Sequence, residues 1–140
     1  MKYWLIPSNP YQFDLVSCVE EHQMVYWRQT RYHYEVGDIV FMYATGGIGK
    51  ILYVMEVEEA NMPNTPEMIK LSSAFRLVDV PPTERVNKFR LLQKVGTLLL
   101  DQEHLRAHGL HGNVQGSQTV IGQLLDYILS NIEQDNKYQE

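Results

Sequence analysis

A single cysteine, Cys18, stands in this chain of 140 residues, so no internal disulfide forms and no cysteine pair exists to seed a zinc site or redox motif. Such a chain fits a cytoplasmic setting. Long apolar runs are also missing. The N-terminal stretch Lys2-Tyr3-Trp4-Leu5-Ile6 stops at Pro7, far short of a signal-peptide core or membrane span, so neither export nor membrane insertion by that route is expected. Positive charge is scarce: twelve Lys and Arg against seventeen Asp and Glu give a net charge of -5 and a pI near 5.5. That is the reverse of a protein gripping nucleic acid mainly through its phosphates. Positions 70–94 nonetheless concentrate Lys70, Arg76, Arg85, Lys88, Arg90 and Lys94 against Asp79 and Glu84. They make either a local basic face or an ordinary solvated surface.

Motifs of several enzyme classes are lacking as well. No glycine-flanked serine elbow occurs. Gly46-Gly47-Ile48-Gly49-Lys50 joins glycines to a lysine, but Ile51-Leu52-Tyr53-Val54 follows as a strand rather than the helix of a phosphate loop, so a hairpin tip is expected. His104, His108 and His111 sit close in sequence without an HExxH glutamate, and surface or capping roles are favoured over metal binding. Cys18 falls on the apolar face of a predicted helix, where a thiol packs rather than reacts.

What is present is ordinary globular material, 44% hydrophobic and 21% charged, with 11% aromatics and nine tyrosines. One domain over residues 1–140 is expected, with a polar tail fraying from Glu133. Tyr3 to Ile6 reads as a buried strand ending at Pro7-Ser8-Asn9-Pro10. Asp14 is a helix N-cap for Leu15 to His22, and Met24 to Trp27 is a second strand. Gly37-Asp38 turns into Ile39 to Tyr43, and the glycine-rich stretch joins it to Ile51 to Val57 as an antiparallel hairpin. Asn61 to Pro66 reads as a loop, Leu71 to Val80 as a strand stopped by Pro81-Pro82, and Phe89 to Val95, whose apolar positions fit neither period cleanly, as a strand in preference to a helix. Asp101 caps a short helix, flanked by the Leu100 and Leu105 staple and stopped at Gly109. A last helix from about Thr119 to Ile132 aligns Val120, Leu124, Ile128 and Ile132.

The remaining constellation is aromatic. Tyr3 and Trp4, Tyr26 and Trp27, and Phe41 and Tyr43 lie on three strands near polar loops, with Ser8, Asn9, Gln29 and Thr30 as short neutral donors and acceptors. Such a slot suits a neutral heterocycle, because stacking tolerates any base while edge hydrogen bonds select. The alternative is that these aromatics are simply core.

Three stretches, Tyr3-Trp4-Leu5-Ile6-Pro7-Ser8-Asn9-Pro10, Tyr26-Trp27-Arg28-Gln29 and Val36-Gly37-Asp38-Ile39-Val40-Phe41-Met42-Tyr43, occur in the order and spacing of EVE domains. With Gly109-Leu110-His111-Gly112-Asn113-Val114-Gln115-Gly116, the chain resembles the bacterial branch of that family over nearly its whole length. The resemblance implies an α+β, PUA-like fold: a partly closed β-barrel of five to six strands with flanking helices, related to YTH and ASCH domains. It further implies a non-enzymatic module, without cofactor or metal, that holds a modified nucleobase. The partner would be DNA or RNA carrying that base, or a free nucleobase or nucleoside. By carry-over Trp27 is the pocket aromatic, Ser8 and Asn9 the loop closing on the base, Gln29 an edge contact, and Tyr43 and Trp4 pocket walls. Arg28, Lys50 and Arg76 are the expected backbone or phosphate contacts. Relatives carry proline and arginines after the segment ending in Gly116, whereas Ser117-Gln118-Thr119 stands here, removing positive charge. Relatives are often joined to nucleases, so a separate nuclease or effector is a conceivable partner. The competing readings are a metal-dependent nucleic-acid enzyme component and a protein-interaction module of a defence or toxin system.

Stacking contributes about 1–3 kcal/mol per base, and extracting a base from a duplex costs a few kcal/mol, so the two nearly cancel. Single strands, mispaired bases and free nucleobases are therefore the expected ligands. One methyl group adds only about 0.8 kcal/mol by burial, roughly fourfold in affinity.

Overall fold

The computed structural model describes residues 1–139, and side chains for residues 1–136. Six strands, β1 (Tyr3–Ser8), β2 (Met24–Arg28), β3 (Ile39–Ala44), β4 (Lys50–Pro63), β5 (Arg85–Lys94) and β6 (Gln118–Thr119), form one sheet in the order β2-β5-β4-β3-β1-β6. The pairing is antiparallel except for β1, which runs parallel to β3. The end strands β2 and β6 do not pair with each other, so the ladder is not closed.

Both faces of the sheet are buried, and alternation along each strand divides the apolar residues between two cores. On one face Trp4, Ile6, Val25, Trp27, Val40, Met42, Met55 and Phe89 pack with Leu15, Cys18 and Val19 of helix α1 (Leu15–His22). On the other, Leu5, Phe41, Tyr43 and Ile51 pack with Leu100, with Leu105 of helix α3 (Gln102–Ala107), and with Leu124, Ile128 and Ile132 of helix α4 (Gly122–Gln139). The caps are those the sequence predicts. Asp14 accepts from Ser17 N at 3.1 Å, and Asp101 accepts from His104 N at 2.9 Å. Gly109 follows α3 with φ +115°, a conformation open to glycine.

Four expectations are corrected. The stretch expected as a strand from Leu71 is instead helix α2 (Pro66–Ser73), started by Thr65, whose hydroxyl accepts from Met68 N, and by Pro66 in the first turn. Residues 74–84 then form a loop. The first half of the loop expected at Asn61 to Pro66 is strand: β4 reaches Pro63 because bulges between Val57 and Met62 let it follow β5. Thr119 belongs to β6, and α4 begins at Gly122. Where a tail was expected to fray from Glu133, α4 continues to Gln139, held by buried Ile132 and by Asp135, which accepts from Gly96 N at 3.0 Å; Glu140 lies outside the described residues. Among the described residues no helix is long and apolar enough to cross a membrane.

Candidate functional site

The C-terminal ends of β1 and β2 open on the same side of the first core as the loop after α2. Between them lies a cleft of about 500 Å³, lined by Ser8, Asn9, Tyr26, Trp27, Arg28, Asn64, Arg76, Val78, Val80, Pro81, Pro82 and Gln115, among others. Its floor is fixed by the sheet, and its rim by turns. Asn9 shapes one turn, its side-chain oxygen accepting from Tyr11 N at 2.9 Å and its carbonyl from Gln12 N and Phe13 N. Thr45 N, in the β3–β4 hairpin tip, donates to Ser8 O at 3.0 Å. Gly46 is needed there, since a Cβ would stand 2.8 Å from the Tyr11 ring at φ +65°.

The two tryptophans share one core, and only Trp27 also lines the cleft. Trp4 is 5% exposed, packs edge-on to Tyr34 at 4.8 Å, and donates its indole N–H to Asp38 Oδ2 at 3.0 Å. It is part of the core, not a wall of the cleft. Trp27 is 9% exposed, with the fully buried Phe89 nearly parallel to it at 6.2 Å and the Arg28 guanidinium 5.6 Å from its ring centre. Its Nε1–H has no acceptor among the described residues, yet no side-chain nitrogen or oxygen is both sealed and unpaired. That N–H is therefore open to solvent, and Trp27 lines the cleft. The Ser8 hydroxyl, on a residue only 4% exposed, likewise makes no hydrogen bond among the described residues.

Trp27 is held by Asn87, a fully buried amide opposite it in the β2–β5 register. Asn87 Nδ2 donates to the Trp27 carbonyl at 3.3 Å, and its Oδ1 accepts from Asn61 N at 2.9 Å. Asn61 sits in the β4 bulge with φ +49°. One side chain thus ties three strands together beneath the cleft. Sequence reasoning missed it; an amide between Val86 and the Lys88-Phe89 pair, two positions before Phe89 and so on the same strand face, was the available signal.

The remaining expected residues divide. Arg28 and Arg76 line the cleft, and Arg76 Nη1 also donates to Val80 O at 2.9 Å, bracing the rim. Gln29 lies just outside, its amide donating to the carbonyls of Thr30 and Tyr32 at 2.8 and 2.6 Å. Tyr43 is in the opposite core, because it shares a face with Phe41, and burial raises its phenol above the ordinary range despite nearby Arg106. Lys50 begins β4, paired with Ala44 and bridged to Asp101, and does not line the cleft. The Ser117 hydroxyl shares a hydrogen bond of 2.7 Å with the Tyr34 hydroxyl.

Among the described residues no Asp, Glu, His or Cys lines the cleft, so the formal charges they bring to it are the two guanidiniums, in a protein of net charge -5. The arrangement offers stacking area, neutral hydrogen-bonding groups and two cations. Elsewhere, Cys18 is fully buried; burial, then Glu21 and Asp14, pushes its thiol up to about 11. His104 pairs with Asp101 Oδ1 at 2.6 Å, and His108 stacks on Tyr127 at 3.6 Å. Among the described residues no three acidic, histidine or cysteine side chains group as a metal site.

No family model matches the chain. No curated protein matches it either. Solved structures do. Human THYN1, solved in complex with 5-methylcytosine-containing DNA, matches with TM-score 0.65 at 14% identity, covering 95% of this chain and 98% of that one. An ASCH protein from Zymomonas mobilis matches with TM-score 0.65 at 10% identity, covering 93% and 98%. A protein from Leishmania major matches with TM-score 0.63 at 17% identity, covering 100% and 98%. The chain therefore has the α+β, PUA-like fold of EVE and ASCH domains, its sheet six-stranded, mixed and open.

Proposed function

We propose that the cleft binds a nucleobase, a modified one in particular, presented by single-stranded or locally unpaired nucleic acid, and that the protein is a binding module rather than an enzyme. The observation that carries this reading is the Trp27 indole: nearly buried, backed by Phe89, its N–H unpaired, in a cleft whose only formal charges are positive. A planar heterocycle with a carbonyl edge supplies the missing acceptor, meeting the indole edge-on in the ring plane, and the Ser8 hydroxyl supplies a second edge contact. Arg28 and Arg76 provide attraction for a flanking phosphate. The likeness to human THYN1, solved with methylated DNA, supports nucleic acid as the ligand class. A cleft without carboxylate, imidazole or thiol supports binding over hydrolysis.

The test is a titration of single-stranded oligonucleotides, with unmodified cytosine, 5-methylcytosine and other modified bases, against wild type and two variants. Trp27→Ala is expected to lose about 1–3 kcal/mol of binding, a weakening of roughly 5- to 150-fold. Trp27→Phe keeps the ring and lacks the donor, so an intermediate loss is expected. Wild-type affinity in both variants, with their thermal midpoints showing them folded, disproves the assignment.

A further inference from the structure

The loop between α2 and β5 is apolar where a solvent-facing loop is ordinarily polar. Leu77-Val78-Asp79-Val80-Pro81-Pro82 leaves Leu77 57%, Val78 39% and Val80 50% exposed. Val78 and Val80 also line the cleft, so these side chains stand at its mouth, half in and half out. The loop is braced at both ends. Leu77 N donates to Gln12 O at 2.9 Å, Arg76 Nη1 to Val80 O at 2.9 Å, and Asn64 Nδ2 to Thr83 O at 2.8 Å, while two consecutive prolines stiffen its far side. A braced tip, apolar apart from the exposed Asp79, projects beside a cleft lined by two guanidiniums, and this fits a polyanion whose bases are exposed or separable.

We propose that the Val78–Val80 tip is a wedge for duplex nucleic acid: when a base leaves the stack for the Trp27 cleft, the tip lies against the neighbouring base pair and covers the apolar surface the departed base uncovers. This rests on the base-binding reading, and it adds a partner state, the duplex, that the cleft alone handles poorly. The chemistry is that of apolar side chains inserted at an unstacked step. Burial of the two valines occurs only when a duplex is opened, so it favours extraction without adding to the affinity for a base already free.

The test compares wild type with the double variant Val78→Ser and Val80→Ser on a single strand and on its duplex. Each probe carries one 5-methylcytosine beside a fluorescent adenine analogue whose emission is quenched by stacking. Wild type is expected to raise the emission in the duplex. The double variant is expected to weaken duplex binding roughly tenfold more than it weakens single-strand binding, and to leave the emission quenched. Equal weakening on both probes makes the valines plain cleft wall and overturns the wedge. Unchanged duplex binding and emission also overturn it and turn the tip into a candidate surface for a protein partner. If wild type binds neither probe, the base-binding reading itself falls, and the wedge with it.

Discussion

Asp38 shows how a single buried charge organises the sheet behind the cleft. It is 1% exposed, and its oxygens accept from Lys2 N, the Trp4 indole and Glu35 N at 2.9 to 3.0 Å. Burial pushes its pKa upward, but the three donors outweigh burial and hold the carboxyl below its ordinary value. A carboxylate depressed in the folded state contributes stability that is complete above its unfolded value, about pH 4, and is lost as pH falls through the folded one. Asp38→Asn is therefore expected to cost about 1–3 kcal/mol at neutral pH. It should also flatten the acid limb of a denaturation-midpoint profile, and a limb as steep as wild type's assigns the acid sensitivity elsewhere. The Gly37-Asp38 step is legible in sequence as a turn. That its carboxylate claims the Trp4 indole is not, because the pairing joins groups 34 residues apart.

At the scale of elements, the caps and the hairpin are legible because their signals are local: Asp14 before Leu15, Asp101 between Leu100 and Leu105, and glycines at 46, 47 and 49. The grouping of aromatics is not. β3 reads Ile-Val-Phe-Met-Tyr with no polar alternation because both of its faces are buried, and nothing in it says which face Trp27 shares. Register decides that Tyr43 goes to the opposite core. α2 is misread for a different reason, since Thr65-Pro66 is a helix start hidden behind a proline that reads as a loop. Asn87 belongs to this scale too. Asn87→Ala strips partners from the Trp27 carbonyl and Asn61 N, and about 1–3 kcal/mol of stability per group is at stake. Base affinity is expected to fall in step with a shift in Trp27 fluorescence. Lost stability with unchanged emission and affinity limits Asn87 to a structural tie.

For the whole molecule, the sign of charge sets how much the strand's backbone contributes. Two guanidiniums in the cleft of a protein with net charge -5 predict a shallow salt dependence. With two phosphates neutralised on a single strand, the slope of log affinity against log salt should be about -1.4. The double variant Arg28→Gln and Arg76→Gln is expected to bring it near zero. A wild-type slope several times steeper places the strand on a basic surface outside the cleft, such as the 85–94 stretch. There, however, Lys88 and Arg90 already pair with Glu58 and Glu56 at 3.2 and 3.4 Å.

The strand order has a consequence for synthesis as well. β1 and β2, successive in the chain and made before the strands they pair with, are never neighbours. β1 waits for β3, and β2 waits for β5, where Asn87 meets a Trp27 made 60 residues earlier. Until then two aromatic-rich edges are unpaired in the nascent chain, the situation in which strands join wrong partners. The segment between them carries Glu20 and Glu21. Carboxylates beside early strands disfavour wrong pairing before the right partners arrive, in addition to the ion pair that Glu20 makes with Lys94 at 2.7 Å in the folded chain.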